Sequence, residues 1–412
     1  MNNPARNFLI TLVLLAGALA GITWVNYRFS LQNPGGNDFL ARWVGANKWL
    51  LEGLSPYDER VSLETQELIY GHPADTEIGE DKNHFIYPMY SMIFFGPFGL
   101  LDYTIARAIW MTILEVAAVA LVWISLRFAQ WKTSFGMTAL LVLFSLIWYH
   151  GARTIVLGQF AVINAILIIL GLYLIRREQD FGAGVLLALS TIKPQMVYLL
   201  VPFVFIWAYS VRRFRILSGF LSTFAILMVV TLALVPNWPL AMLAQMLDYP
   251  TYTTTVSPLA VIAGRSPGIQ PLFGQVLHGI AYVYLIAQWI YAWGKDERRF
   301  EWAALMTLVI THLVAYRTAT TNYLVLIPAL FLIFRVTEQR WKGVGRVFTL
   351  AVLLALGVGL WWLFLVSVQG NIEGPIMYLP VPFLCLLGLW WVRWWAVRPP
   401  RLLLEEFSSR LG

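Results

Sequence analysis

Residues 8–39 read FLITLVLLAGALAGITW, then VNYRFSLQNPGG, then NDF at 37–39: an apolar run from Phe8 to Trp24, a short polar stretch, and Asn37-Asp38-Phe39. A helix needs roughly 17–25 apolar residues to cross the hydrocarbon core, and runs of that kind recur to the end of the chain. The loop that Asp38 opens is different. Residues 30–84 hold 10 of the 22 acidic residues and four basic ones, Arg42, Lys48, Arg60 and Lys82, so the loop carries −6 and the rest of the chain +13. Asp38 therefore stands where an apolar body meets water.

Composition agrees with a membrane body. Of the 412 residues 59% are hydrophobic and 12% charged, with a mean hydropathy of +0.68. A water-soluble domain has too little polar sequence here to cover its exterior. The 19 Trp and 18 Tyr suit interfacial belts. The net charge of +7 comes from basic residues beside apolar segments, which report topology and anionic headgroups rather than nucleic acid. A lone cysteine, Cys385, excludes an intramolecular disulfide and a cysteine metal cluster. Ala18-Leu19-Ala20 resembles a signal-peptidase site, but with many spans following, the first segment reads as an uncleaved anchor.

Arg6 precedes the first span, so the positive-inside rule puts the N-terminus in the cytoplasm and loop 30–84 outside. Phe39 to Glu52 reads as a short amphipathic helix with Phe39, Trp43, Ala46, Leu50 and Gly53 on one face, Asn37 or Asp38 as its cap, lying on the membrane surface. Residues 85–101 are apolar but short and interrupted by Pro88 and Pro97, which reads as a re-entrant or short segment; a full crossing would instead put Arg127 and Lys132 outside. Spans follow at 105–126, 135–148 and 160–175. Residues 181–209 lie between two basic clusters, Arg176-Arg177 and Arg212-Arg213-Arg215, and so go out and back with Lys193-Pro194 at the apex. Further spans are read at 216–235, 272–293, 302–316, 322–334, 347–368 and 376–395, with Lys295 to Arg299, Arg335 to Arg346 and the tail from Arg393 inside. The expectation is an all-α polytopic membrane protein of about twelve transmembrane helices. It forms a single integral membrane domain, 1–412, with a first external loop at 30–84 and a second at 236–271.

Five stretches in order resemble a known family: Asp38-Phe39, Gly53-Leu54-Ser55-Pro56-Tyr57-Asp58, Phe85-Ile86-Tyr87-Pro88, Gly158-Gln159 and Ile192-Lys193-Pro194. Together they look like glycosyltransferase family 87, polyprenol-phosphate-mannose-dependent mannosyltransferases of the GT-C membrane superfold. The likeness runs over roughly residues 8–335. It implies a GT-C-like fold, an inverting transfer of a hexose, usually mannose, from polyprenyl phosphate, and Asp38 as the general base. The chain departs from the pattern at Thr321-Asn322-Tyr323, where the family usually carries a histidine in place of Asn322. That departure bears on the sugar and the acceptor more than on the reaction class.

Such a transfer needs a group to take the acceptor's proton and donors to stabilise the departing phosphate. Asp38 is the candidate base; a helix N-cap is its structural alternative. Lys193 is costly inside a membrane segment and is a candidate partner of the donor phosphate, or a lysine that snorkels to the interface. Arg153 and Arg317 lie at outer ends, as phosphate clamps or headgroup contacts. Gln159 can hydrogen-bond sugar or phosphate, or simply start its helix. His84 and Tyr87 flank the 85–101 piece at the external surface as donor-side candidates, with a lone histidine such as His84 more often structural than catalytic. Asp58, after the turn Pro56-Tyr57, and Asn322 are acceptor-side candidates, with Asp58 more readily structural. Glu115, mid-span, reads as protonated or paired with Arg107 or another buried group, and His278 and His312 as packing or hydrogen-bonding residues. No ligand spacing for a metal is present, so no cofactor is expected, which leaves room only for a weakly bound divalent ion.

The expected partners are a polyprenyl-phosphate-linked sugar, a lipid or glycan acceptor and membrane lipids, with no nucleic acid. The expected place is the plasma membrane, multi-pass, with the site on the external face. A transporter or flippase of a lipid-linked saccharide shares the broken helices and buried charge, but paired halves are absent. A non-catalytic subunit presenting the acidic loop is the third reading.

Overall fold

The computed structural model describes residues 4–253, 256–266, 268–315, 317–370 and 372–398. Among them the chain is helical, with extended pairing confined to one bridge between Gln369 and Ile372. Five helical segments are long and apolar enough to cross a membrane: Arg6–Gln32, Tyr103–Phe128, Phe214–Leu234, Thr320–Ser367 and Pro375–Ala396. A sixth is the pair Phe135–Ile147 and Tyr149–Leu157, bent by 53°.

About twelve full crossings are therefore not confirmed by these segments. Hydropathy counts every apolar stretch as a span, whereas several here are short helices: Met89–Leu100, Ala161–Arg176, Asp180–Ile192 and Leu200–Ser210. The first breaks into pieces of three to five residues around Pro88 and Pro97, and spans only about 18 Å at 1.5 Å per residue. Lys193 and the short helix Pro194–Met196 lie between the last two of these. Conversely, Thr320–Ser367 has 48 residues, about 72 Å of helix against a core of ~30 Å. It breaks at Lys342 (φ 46°, ψ −116°), inside the basic stretch 335–346. The stretch expected at 302–316 is the helix Glu297–Val314, whose four charged residues, Glu297, Arg298, Arg299 and Glu301, crowd its first turns. From Trp302 onward it is buried on every side, a core helix surrounded by others.

The helices Pro4–Gln32 and Tyr103–Phe128 pack through a small polar cluster. Asn26 donates to Thr112 Oγ1 and to Glu115 Oε2, each at 3.0 Å. Glu115 is therefore held by Asn26 and not by Arg107, whose guanidinium donates to the carbonyls of Asn33 and Val156. Arg107 so ties the end of the first helix to the turn before Gly158.

The helix Asn37–Glu52 also differs from expectation. Its N-cap is Gly36, in the left-handed region at φ 86°, so neither Asn37 nor Asp38 caps it. A Cβ at Gly36 would lie 2.6 Å from Arg107 Nε, which leaves glycine as the residue that fits. Asp38 sits instead in the first turn, with its carboxylate released from capping. The helix is embedded in protein: Phe39 and Ala46 are fully buried, while Leu50, expected on the same face, is exposed. Trp43 donates to the Leu101 carbonyl at 3.1 Å and Asn47 to that of Gly99 at 2.8 Å. The short helices at 89–100 thus form a shelf under the Asp38 helix.

Candidate active site

Phe39 fixes the position of Asp38. Its ring is fully buried, stacks on Trp110 at 5.5 Å, and meets Phe98 edge-on at 6.0 Å. Behind it lies Gly158, the left-handed cap (φ 70°) of helix Tyr149–Leu157. A Cβ there would come within 2.5 Å of Phe39 Cβ, and Trp110 Nε1 donates to its carbonyl at 2.9 Å. This turn delivers Gln159, buried, to Lys193: the lysine Nζ donates to Gln159 Oε1 at 2.6 Å. Lys193 is itself 3% exposed, so in this setting the amide supplies an acceptor that water does not.

The half-buried Asp38 carboxylate has no hydrogen-bond donor among the described residues, yet its charge is felt at Lys193, Tyr87, Asp81 and Arg153. Arg42, one turn further along the same helix, places its guanidinium 4.6 Å above the Tyr87 ring. Tyr57 donates to the Tyr87 carbonyl at 2.5 Å and meets Phe85 edge-on at 5.5 Å. Contacts therefore link all five stretches that carry the family resemblance around the Asp38 helix. Asp81, from the far end of the acidic loop, joins them. Burial, with the Asp38 charge nearby, raises its carboxyl to about 6, against the pull of a backbone N–H from Asn83 and of Arg42.

A second layer binds the two polar loops together. Lys82 pairs with Asp248 at 2.7 Å, and His84 bridges Ser62 Oγ (2.8 Å) and Asp248 (3.5 Å). Burial holds the His84 imidazole below its ordinary pKa, and the Lys82 hydrogen bond lowers the Asp248 carboxyl. Gln245 donates to the Tyr57 carbonyl at 3.2 Å. Arg317 donates to Thr253 Oγ1 at 2.8 Å and to the carbonyls of Thr253 and Pro250, so it secures the end of helix Trp238–Tyr252. Asp58 caps helix Glu59–Tyr70 and pairs with Arg60 at 2.9 Å, which lowers its carboxyl; its charge is spent locally. His84, Arg317 and Asp58 thus have structural partners, whereas Lys193, Gln159 and Tyr87 stand around Asp38.

Arg153 is reached from a third side. Tyr149 accepts from it at 2.5 Å, and Glu373 lies 3.9 Å away, itself taking a hydrogen bond from Thr320 Oγ1 at 2.7 Å. Below, two fully buried imidazoles, His150 and His312, meet Tyr323 edge-on at 5.2 and 5.9 Å. Asn322 donates to Thr318 Oγ1 at 3.1 Å. Among the described residues, its Oδ1, His312 Nε2 and both nitrogens of His150 have no hydrogen-bond partner. Such buried polar atoms are uncommon in a settled core and mark positions that can serve a ligand.

Arg42, Asp81 and Glu373 are the site residues that motif reading does not pick out. Arg42 is recoverable from helical spacing, four residues after Asp38. Asp81 and Glu373 lie in irregular segments, and no periodicity points to either.

A cluster of a carboxylate, a buried lysine and arginines, set among membrane helices, is chemistry suited to a phosphate-bearing, lipid-borne substrate. The sequence profile of glycosyltransferase family 87 matches residues 85–316, more than half of the chain. The chain belongs to glycosyltransferase family 87. It is a membrane glycosyltransferase. No curated protein and no solved structure matches it. The family 87 match includes Tyr87, Gln159 and Lys193, while Asp38 and Arg42 lie before it.

Proposed function

We propose that this family 87 enzyme transfers a hexose, mannose by the resemblance of its motifs, from a polyprenyl-phosphate donor to a hydroxyl of a lipid or glycan acceptor. Transfer takes place at the external face of the plasma membrane with inversion at the anomeric carbon. The observation that carries this reading is the Asp38 carboxylate, without a hydrogen-bond donor among the described residues yet within electrostatic reach of the buried Lys193–Gln159 pair. In one displacement Asp38 accepts the proton of the acceptor hydroxyl while its oxygen bonds to the anomeric carbon. The bond from that carbon to the phosphate oxygen breaks, and its electron pair leaves with polyprenyl phosphate. An inverting reaction sets the base and the leaving group on opposite faces of the sugar. Lys193 and Arg42 supply positive charge as the phosphate oxygen becomes anionic, and Gln159 keeps the lysine oriented.

The basic clusters on the far side of the bundle support the external placement of Asp38. Purified protein reconstituted in lipid, given polyprenyl-phosphate mannose and a panel of lipid and glycan acceptors, is expected to form a glycosylated acceptor of inverted anomeric configuration. Formation of no product from mannosyl or other polyprenyl-phosphate hexoses rejects the donor class.

A further inference from the structure

Away from Asp38, the helix ends enclose a second space. A cavity of about 860 Å³ is lined by five arginines, Arg176, Arg298, Arg335, Arg340 and Arg398, against two acids, Glu297 and Glu301, a net lining charge of +3. Its place follows from helices that run from one site to the other. Ala161–Arg176 starts beside Gln159 and ends in the cavity wall; Pro380–Ala396 starts beside Tyr378 and does the same. Tyr103, which stacks on Phe39 at 6.2 Å, begins a helix whose last residue, Phe128, lines the cavity. Those 26 residues amount to about 39 Å at 1.5 Å per residue. The cavity therefore opens at the opposite membrane boundary from the Asp38 site.

The arginines are only partly neutralised. Arg176 pairs with Glu301, and Arg298 donates to the Arg398 carbonyl at 2.9 Å. Arg340 rests over the Trp395 ring at 5.2 Å, an aromatic and not an anionic partner. Arg335 Nε is buried without a hydrogen-bond partner among the described residues, although Glu301 is near. Around the cavity Trp394 and Trp395 supply the amphipathic rings found where hydrocarbon gives way to headgroups. The volume falls in the range of about 300–1,000 Å³ usual for small-molecule sites.

We propose that this cavity binds the phosphate headgroup of an anionic phospholipid, at a site separate from the Asp38 centre. Guanidinium forks match phosphate oxygens in geometry and charge, and basic pockets between membrane helices take anionic headgroups. The lipid source of the phosphate is favoured by the tryptophans: Trp394 is 55% and Trp395 36% exposed, an apolar flank for the acyl chains beside the charged hollow.

The test uses the full chain in phosphatidylcholine nanodiscs, titrated with phosphatidylglycerol and read by native mass spectrometry. One phosphatidylglycerol per chain is expected, retained at least about tenfold more strongly than phosphatidylcholine. The double variant Arg298→Gln with Arg340→Gln alters two exposed side chains, so it is expected to keep the wild-type unfolding temperature and to lose about tenfold in that preference. Inorganic phosphate at millimolar concentration is expected not to displace the lipid. No preference over phosphatidylcholine, or an unchanged preference in the folded double variant, overturns the proposal. Equal displacement by inorganic phosphate overturns the lipid assignment.

Discussion

Lys193 and Gln159, 34 residues apart, share a 2.6 Å hydrogen bond in which both side chains are buried. Each comes from a break in helix: the lysine from the junction of two short helices, the glutamine from the left-handed turn at Gly158. Both breaks free polar groups at a depth where unbroken helix would present only side chains to its neighbours. Asp38 stands near enough for its charge to be felt at the lysine.

Asp38→Asn keeps the size of the side chain and removes its basicity. A positioned general base contributes about 10²–10⁴ in rate, and a loss of at least that order in kcat is expected for sugar transfer. Binding of polyprenyl-phosphate sugar, measured by titration into the reconstituted protein, is expected to stay near wild type. Wild-type turnover in the variant rejects Asp38 as the base.

Gln159→Leu leaves the Lys193 ammonium buried without its acceptor. Removing one partner of a buried hydrogen bond to a charged group costs about 1–3 kcal/mol or more, so a lower unfolding temperature in detergent is expected. Lys193→Gln restores a neutral pair at this position and is expected to be the more stable of the two variants, yet slower in transfer. If Lys193→Gln retains full kcat, the lysine has no part in stabilising the departing phosphate.

The legible parts of this protein are those where local chemistry decides. Gly158, Pro194 and Pro88 mark breaks that any neighbour would have to respect, and the three stretches containing them do converge. The number of crossings is less legible, because apolar content alone does not separate a full span from a half-helix such as Asp180–Ile192 or a core helix such as Glu297–Val314. Arg42 escapes a reading that lays its helix on the membrane surface, since the shelf at 89–100 that buries Phe39 is a tertiary contact. Glu373 reaches Arg153 across 220 residues of chain from an irregular loop, a meeting that no local pattern encodes.

Asp81 gives the site a pH dependence whose sign can be worked out. Its carboxyl is raised from 3.8 to about 6 by burial, with Asp38 adding to the shift. The folded chain then holds this proton more tightly than the unfolded one, so the group's contribution to stability is full below pH 3.8 and is lost as pH rises through about 6. Asp81→Asn, a permanent mimic of the neutral form, is expected to remove that loss. Thermal unfolding in detergent at pH 4.5 and 7 checks it: between these values the wild type should lose more stability than the variant. Equal changes in both proteins reject the buried state of this carboxyl.

Asp248 joins the acidic loop to the helix Trp238–Tyr252 through Lys82 and His84. The pair is partly exposed, so its worth to stability is at most about 1 kcal/mol. Asp248→Asn is expected to leave the fold intact and to loosen the relation between the loops, raising KM for the acceptor more than it lowers kcat. Steady-state kinetics with the acceptor varied measures the split; a fall confined to kcat places His84 in the chemistry instead.

Gly158→Ala tests whether the motif turn itself carries the site. The residue has φ 70°, where an L side chain costs about 1–2 kcal/mol, and its Cβ would lie 2.5 Å from Phe39 Cβ. Both atoms belong to well-fixed backbone, so relief requires the Asp38 helix to shift, not a side chain to rotate. Two consequences are expected together: a lower unfolding temperature, and a loss of activity that persists at temperatures where the variant is fully folded. The second is the informative one, because moving Phe39 also moves its neighbour Asp38, and a misplacement of about 1 Å can cost 10²-fold in rate. Full activity in the folded variant would show that Asp38 does not depend on this contact for its position.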